Sequence, residues 1–360
     1  MRKLNFAAGP SVMPLEVLEE LQANLVDYQG KGLSMIEASH RGGMFEEMYD
    51  ECLSVFRSLL SIPDDYDVYF LGGGATLQFT MIPLNFLLKG THADYTRTGS
   101  WSNKAADDAA KLGDVNIAFD GKDSGYTTLP DPKAIKPSEG SSYFYLCANE
   151  TIGGIEWQEF PDTGDVPLIV DMSSDMLSRP VDVSKFAMIY GGVQKNLGPA
   201  GATFIIMRHD MLDKRNPGLT AYMDYAKHAK DKGLYNTPPV FSIWAVGLML
   251  KWIQKNGGVE GMLHNAMMKS GYIYDVIDSS SGFYRSPVDK RYRSRMNVVF
   301  RCPTEELEAK FLKEAQNEGM IGLKGHRSVG GLRASLYNAL PMEDAASLAV
   351  FMQEFERKNG

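Results

Sequence analysis

The sequence predicts an α/β protein: a large domain on a mostly parallel seven-stranded sheet, then a smaller α+β C-terminal domain. Seven short apolar segments between residues 67 and 207 alternate with helical stretches. Several are apolar almost without a break, as strands covered on both faces are. The first runs into Gly72-Gly73-Gly74-Ala75-Thr76 and then a helix, which offers free N–H groups and a positive dipole end to an anion. From Gly282 the order changes to strand, helix, glycine-rich turn, strand and helix.

The elements follow in order. Gly9-Pro10-Ser11 reads as a turn in an extended lead-in. Pro14 suits the first turn of a helix over 15–27, where its missing N–H has no partner to lose. Residues 33–43 are too rich in Ser, His, Arg and Gly to be core and form a loop. Residues 44–62 put Met48, Cys52, Val55, Phe56, Leu59 and Leu60 on one helical face. Strands are predicted at 67–71, 93–98, 115–119, 143–148, 168–171, 186–190 and 202–207. A helix from the glycine turn to residue 88 and another over 102–112 lie between them. Residues 216–239 are polar and irregular and read as one long functional loop. Helices follow over 241–256 and 259–277. The small domain reads as a strand at 297–301, a helix over 305–318, a turn at 322–331, a strand at 332–337 and a helix over 342–357. The expected division is a lead-in over 1–15, a large domain over 16–260 and a small one over 261–360.

Composition narrows the function. With 360 residues the chain can hold two such domains. A formal net charge of −8 gives no electrostatic reason to bind nucleic acid or an anionic membrane. An anionic substrate must then be caught by a local basic cluster. No run of 18 apolar residues suggests a membrane span, and the N-terminus lacks the apolar core of a secretory signal. Cys52, Cys147 and Cys302 lie far apart with no CxxC, which points to reduced thiols and a cytoplasmic setting. The six histidines show no metal-ligand spacing, and no GxSxG marks a serine hydrolase.

Ligands of open α/β sheets sit beyond the carboxyl ends of the strands. The residues there are Gly74, Ala75, Thr76, Trp101, Thr151, Asp171 and Lys195. Lys195 lies between two apolar runs, and Asn196-Leu197-Gly198-Pro199-Ala200-Gly201 turns the chain just after it. A lysine brought toward the interior loses proton affinity, and such amines attack carbonyls to form Schiff bases. Lys195 is therefore the candidate to carry pyridoxal phosphate. Asp171 can pair a protonated pyridine nitrogen, or cap a helix. Trp101 can stack on a flat ring, or simply pack. Thr151 and Gln194 can donate to ring hydroxyl and phosphate, or shape local turns. A second group, His40, Arg41, His326, Arg327 and Arg333, reads as a site for a substrate with more than one anionic group, or as surface arginines.

The motifs Phe6-Ala7-Ala8-Gly9-Pro10-Ser11, Glu37-Ala38-Ser39-His40-Arg41, Gly72-Gly73-Gly74-Ala75-Thr76-Leu77-Gln78-Phe79, Asn149-Glu150-Thr151-Ile152-Gly153-Gly154, Asp171-Met172-Ser173-Ser174, Gln194-Lys195-Asn196-Leu197-Gly198-Pro199-Ala200-Gly201 and Gly325-His326-Arg327 through Arg333-Ala334-Ser335 span nearly the whole chain. Together they resemble the phosphoserine aminotransferase family, enzymes of fold-type I that use pyridoxal phosphate in serine biosynthesis. The resemblance implies that Lys195 bonds the cofactor and shuttles a proton, Asp171 binds its ring nitrogen, Trp101 stacks on it and Thr151 meets its 3-hydroxyl. It implies that Ala75, Thr76 and Gln194 hold the cofactor phosphate, with Asn236 and Thr237 reaching it from the other subunit of a homodimer. Arg333 would take the substrate α-carboxylate; His40, Arg41, His326 and Arg327 would take the distal anion. The implied substrates are L-glutamate, 3-phosphohydroxypyruvate and O-phosphoserine. A phosphorylated hydroxythreonine of pyridoxine biosynthesis is a further candidate. The rival readings are an alanine–glyoxylate type aminotransferase, against which the basic cluster speaks, and a phosphate-binding α/β protein without the cofactor.

Overall fold

The computed structural model describes residues 2–360. The chain begins with a two-residue strand β1 (Leu4–Asn5), then helices α1 (Leu15–Ala23) and α2 (Gly43–Leu60). The sheet region follows: β2 (Tyr66–Leu71), α3 (Gly74–Phe86), β3 (His92–Arg97), α4 (Ser100–Ala109), β4 (Asp114–Asp120) and β5 (Ser141–Cys147). A small hairpin, β6 (Asn149–Glu150) and β7 (Ile155–Glu156), precedes β8 (Leu168–Asp171), β9 (Met188–Gly192) and β10 (Thr203–Arg208). After α5 (Tyr225–Lys230) come the long helices α6 (Val240–Lys255) and α7 (Gly258–Ser279). The C-terminal part holds β11 (Asn297–Phe300), α8 (Glu305–Asn317), β12 (Met320–Ile321), β13 (Leu332–Ser335) and α9 (Met342–Asn359).

All seven predicted sheet strands form one sheet, ordered β2-β10-β9-β8-β5-β3-β4. Only β10 runs against its neighbours, pairing antiparallel with both β2 and β9. The others in contact pair parallel. The parallel strands therefore deliver their carboxyl ends to one edge. On one face Phe56 of α2 packs edge-on against Phe204 of β10, and Trp244 of α6 is buried in the same layer. On the other face the rings of Tyr95, Tyr145 and Tyr190 lie beneath α3 and α4, with Tyr95 stacked on Tyr145 at 4.7 Å between centroids.

Three expectations need correction. The segment 216–239 is not one irregular loop. Asp224 accepts from the Ala226 N–H at 2.9 Å and starts α5, and Tyr225 stacks on Phe86. A six-residue helix is too short for a periodicity signal, so its tertiary partners decide it. The lead-in is not merely extended: β1 pairs parallel with β12, more than 300 residues away in sequence, joining the N-terminus to the C-terminal part. The first helix ends at Ala23 because the Asn24 amide turns back onto the Glu20 carbonyl at 3.0 Å.

Gly191 sits in β9 where the sheet passes under the Asp171 turn. A Cβ there would lie 2.7 Å from the Phe204 ring and 2.7 Å from the Ser173 Cα. The Ser173 backbone has nowhere to move, since its N–H is bonded to Asp171. Gly191→Ala is expected to destabilise the protein by about 2 kcal/mol, an overpacking cost, read as a lower urea midpoint. An unchanged midpoint would show that the strand shifts freely.

Candidate active site

Lys195 leaves the end of β9 in a tight turn. The N–H groups of Leu197 and Gly198 both return to the Val193 carbonyl, at 3.1 and 2.9 Å. The lead-in fastens this turn from outside: the Ser11 N–H donates to the Gln194 carbonyl at 3.1 Å, and the Ser11 hydroxyl donates to the Lys195 carbonyl. On the inner side the Asn196 amide donates to the Ser174 carbonyl at 2.8 Å. With its backbone held on both sides, Lys195 aims its Nζ at Thr151, donating to Oγ1 at 2.7 Å. The same Nζ lies 5.5 Å from the Trp101 ring centroid. Burial pushes the amine's proton affinity down, while the Asp171 charge pulls the other way.

Asp171 ends β8 and is fully enclosed. Its Oδ1 accepts from the Ser173 N–H at 2.8 Å and the Ser173 hydroxyl at 2.6 Å. The Ser173 oxygen in turn accepts from the Gly192 N–H at 3.0 Å, tying the carboxylate to the strand that carries Lys195. Burial raises the Asp171 pKa above the usual carboxylate value, and the nearby Lys195 opposes that rise. A carboxylate here favours a cationic neighbour.

Trp101 stands in the first turn of α4. Its backbone N–H donates to Glu150 Oε2 at 3.0 Å. Glu150 Oε1 takes both the N–H and the hydroxyl of Ser102, at 2.8 and 2.7 Å. Glu150 thus caps a helix from a distant strand end, although burial raises its pKa. Gly99 is needed for the approach, since a Cβ there would lie 2.6 Å from the Glu150 carboxyl carbon. The Trp101 indole nitrogen is buried with no partner, and Lys104 Nζ lies 4.5 Å from the ring centroid.

At the end of β2, Gly73 takes φ 93° and α3 opens at Gly74, φ 68°. A Cβ at Gly74 would meet nothing within 4 Å, so this helix start faces open space. Ala75 and Thr76 lie in the first turn, where N–H groups have no intrahelical acceptor. Gln194 sits at the foot of the Lys195 turn and is half-buried.

Arg333, on β13, is buried and donates to the Thr151 carbonyl at 3.1 Å, leaving its Nε without a partner. His326 has its proton affinity lowered first by burial and then by the charges of Arg333, Arg327 and Lys104, so these cations lie near it. Its Nδ1 meets the Ser328 hydroxyl at 2.7 Å.

The structure therefore gathers Lys195, Asp171, Trp101, Thr151 and Arg333, with His326 and Arg327 at the margin. His40 and Arg41 lie in the loop before α2; the His40 Nε2 is buried without a partner and Arg41 is exposed. Asn236 and Thr237 lie exposed before α6. Among the described residues the Asn236 side chain bonds only to the Thr237 carbonyl. None of these four makes a hydrogen bond to the Lys195 group within the chain. Sequence reasoning missed Glu150, Ser173 and Asn196. All three lie inside motifs it quoted, and no spacing rule tells which neighbour in a motif bonds across the fold.

Residues 3–348 match the family model of class-V aminotransferases. A curated phosphoserine aminotransferase from Niallia circulans is 49% identical over 359 residues, covering 100% of this chain and 99% of that protein. The solved structure of phosphoserine aminotransferase from Bacillus circulans subsp. alkalophilus superposes with a TM-score of 0.98 at 49% identity, covering 100% of this chain and 99% of that one. A phosphoserine aminotransferase structure from a study of radiation damage to its Schiff base gives a TM-score of 0.97 at 44% identity, covering 99% and 100%.

Glu150→Ala strips the acceptor from three buried donors, so it is expected to cost about 3 kcal/mol. Urea unfolding measures the loss, and Trp101 fluorescence should change at temperatures where the variant stays folded. Wild-type stability and fluorescence together would mean that water replaces the carboxylate and that Glu150 does not orient Trp101.

Proposed function

We propose a reaction for a chain that belongs to the class-V aminotransferases and, within them, to the phosphoserine aminotransferase family. It is a pyridoxal-phosphate-dependent aminotransferase of serine biosynthesis. It moves the amino group of L-glutamate to 3-phosphohydroxypyruvate and yields 2-oxoglutarate and O-phospho-L-serine. The observation that carries this reading is the half-buried Lys195 amine, set 2.7 Å from Thr151 and beside Trp101 and Asp171, under a group of cations.

The residues fit pyridoxal phosphate. A flat ring can lie on Trp101, a cationic ring nitrogen suits the enclosed Asp171, and a phosphate suits the open start of α3. When bound, the cofactor supplies an electron sink for charge that develops at the substrate Cα. Lys195 would hold it through Nζ and would take the Cα proton, and the lowered proton affinity of the buried amine is in the direction both tasks need. Asp171, braced by Ser173, keeps the ring nitrogen protonated. Thr151 Oγ1 would be free to meet the 3-hydroxyl. Ala75, Thr76 and Gln194 bind the phosphate.

Arg333 binds the substrate α-carboxylate, which also occupies its unpartnered Nε–H. His326 and Arg327 take the distal phosphate of phosphoserine or the side-chain carboxylate of glutamate. Both amino acids carry such an anion, so one site serves them in turn. His40, Arg41, Asn236 and Thr237 complete the site across a homodimer; the exposure of Arg41, Asn236 and Thr237 and the unpartnered buried Nε2 of His40 support that assignment. With a large domain over 16–260 and a small one over 261–360, the substrate cleft would lie between them, a reading supported by the reach of Arg333 to Thr151. The three buried free cysteines favour a cytoplasmic enzyme. The same anion site accommodates 4-phosphohydroxy-L-threonine, linking the enzyme also to pyridoxine biosynthesis.

A visible spectrum of the purified protein tests the reading. A yellow band that O-phosphoserine bleaches and alanine does not is the expected result. A band that answers to alanine alone would discard the substrate, and no band after added cofactor would discard the chemistry. Lys195→Ala should abolish turnover with the fold intact. Arg327→Ala is expected to raise the KM for phosphoserine by about tenfold or more with cofactor affinity unchanged; equal loss of both would make the arginine structural.

A further inference from the structure

Lys269 lies in the middle of α7 with 1% of its surface exposed. Burial pushes its pKa down to about 7. Among the described residues no carboxylate pairs with it. Its Nζ instead donates to three backbone carbonyls, Tyr337 at 2.6 Å, Leu340 at 3.1 Å and Asn338 at 3.4 Å. Three donors meet three acceptors, which fills the valence of an ammonium. An unpaired cation in the interior is costly, so an apolar side chain of equal length would pack here more cheaply. The ammonium therefore does something that packing does not.

The carbonyls belong to the turn that leaves β13, four residues beyond Arg333. This turn reaches into the active site. The Asn338 N–H donates to Asn196 Oδ1 at 3.0 Å, and the Asn338 amide donates to the Leu177 carbonyl at 3.0 Å. Asn196 follows Lys195 directly and bonds Ser174 through its Nδ2. The Tyr337 hydroxyl donates to the Ala8 carbonyl at 2.8 Å, in the lead-in that holds the Lys195 backbone.

We propose that Lys269 is a positioning residue for the transamination: a tethered cation that gathers the 337–340 carbonyls so that Asn338 grips Asn196 and fixes the Lys195 turn. The inference rests on the proposed role of Lys195. The Lys269 end of the clamp borders a cleft of about 480 Å³ lined also by Trp252, Asn265, Asn338 and Leu340.

The test is Lys269→Met in the holoenzyme, and Lys269→Ala with methylammonium as the added cation. The wild-type band and its response to phosphoserine are recorded first, so failure of the aminotransferase reading shows there and not in the variant. In the variant, kcat should fall by about tenfold while the KM for phosphoserine stays within about twofold, as expected when a reacting group is misplaced and binding is kept. Amide exchange should quicken at residues 194–198 and 336–340 while α2 keeps its protection. In Lys269→Ala, where the shortened side chain leaves room beside the 337–340 carbonyls, methylammonium should restore part of kcat. A variant that loses thermal stability but keeps wild-type kcat and local exchange would overturn the proposal and leave Lys269 a packing residue. If Lys269→Met does not fold, Asn196→Ala decides. It cuts the Asn338 link together with the Ser174 bond, so Asn196→Asp, which keeps the acceptor for Asn338 and loses only the Ser174 donor, is its control: kcat should fall further in the alanine variant, with no gain from methylammonium. Wild-type kcat in Asn196→Ala would overturn the proposal as well.

Discussion

An enclosed carboxylate, Asp171, and a half-buried amine, Lys195, share the carboxyl edge of one sheet, and the rest of the structure is arranged to make that tolerable. Neither charge has full access to water. Desolvation pushes the Asp171 pKa up and the Lys195 pKa down, while each favours the ionised form of the other. The balance leaves a carboxylate that seeks a cation and an amine that gives up its proton readily. Those two properties suit the pyridoxal phosphate that the family uses.

Holding such groups in place needs backbone restraint from several directions. Ser173 binds Asp171 to Gly192, so the carboxylate and the strand leading to Lys195 move together. Glu150 and Thr151 are neighbours in the chain, yet one orients the Trp101 helix and the other receives the Lys195 amine. A single turn thus sets the distance between the Trp101 ring and the Lys195 amine. Arg333 closes the arrangement by bonding the Thr151 carbonyl from β13. The Arg333 cation and the Lys195 amine are then referred to the same residue.

The two ends of the chain meet at this edge. The lead-in over residues 6–11 packs on the Lys195 turn, and its strand β1 pairs with β12. The turn after β13 touches both the lead-in and Asn196. Movement of the C-terminal part relative to the sheet is therefore felt at Lys195 through backbone bonds and not through side-chain contact alone.

Much of this was legible in the residues. Continuous apolar runs separated by helices specify a parallel sheet covered on both faces, because only that arrangement buries both sides of each strand. Strand ends then nominate Ala75, Trp101, Thr151, Asp171 and Lys195 without any coordinates, and the resemblance of their motifs to one enzyme family suggests their roles. The tertiary structure alone decided what holds those residues. Glu150 capping α4, Ser173 bridging Asp171 to Gly192, and Lys269 gathering three carbonyls are contacts across about 20 to 70 residues of sequence. The pairing of β1 with β12 across more than 300 residues and the helix inside 216–239 were decided there as well. The reason is physical: periodicity records which face of an element is apolar, but a buried polar side chain is placed by the partner that satisfies it, and that partner is named only when the chain has folded.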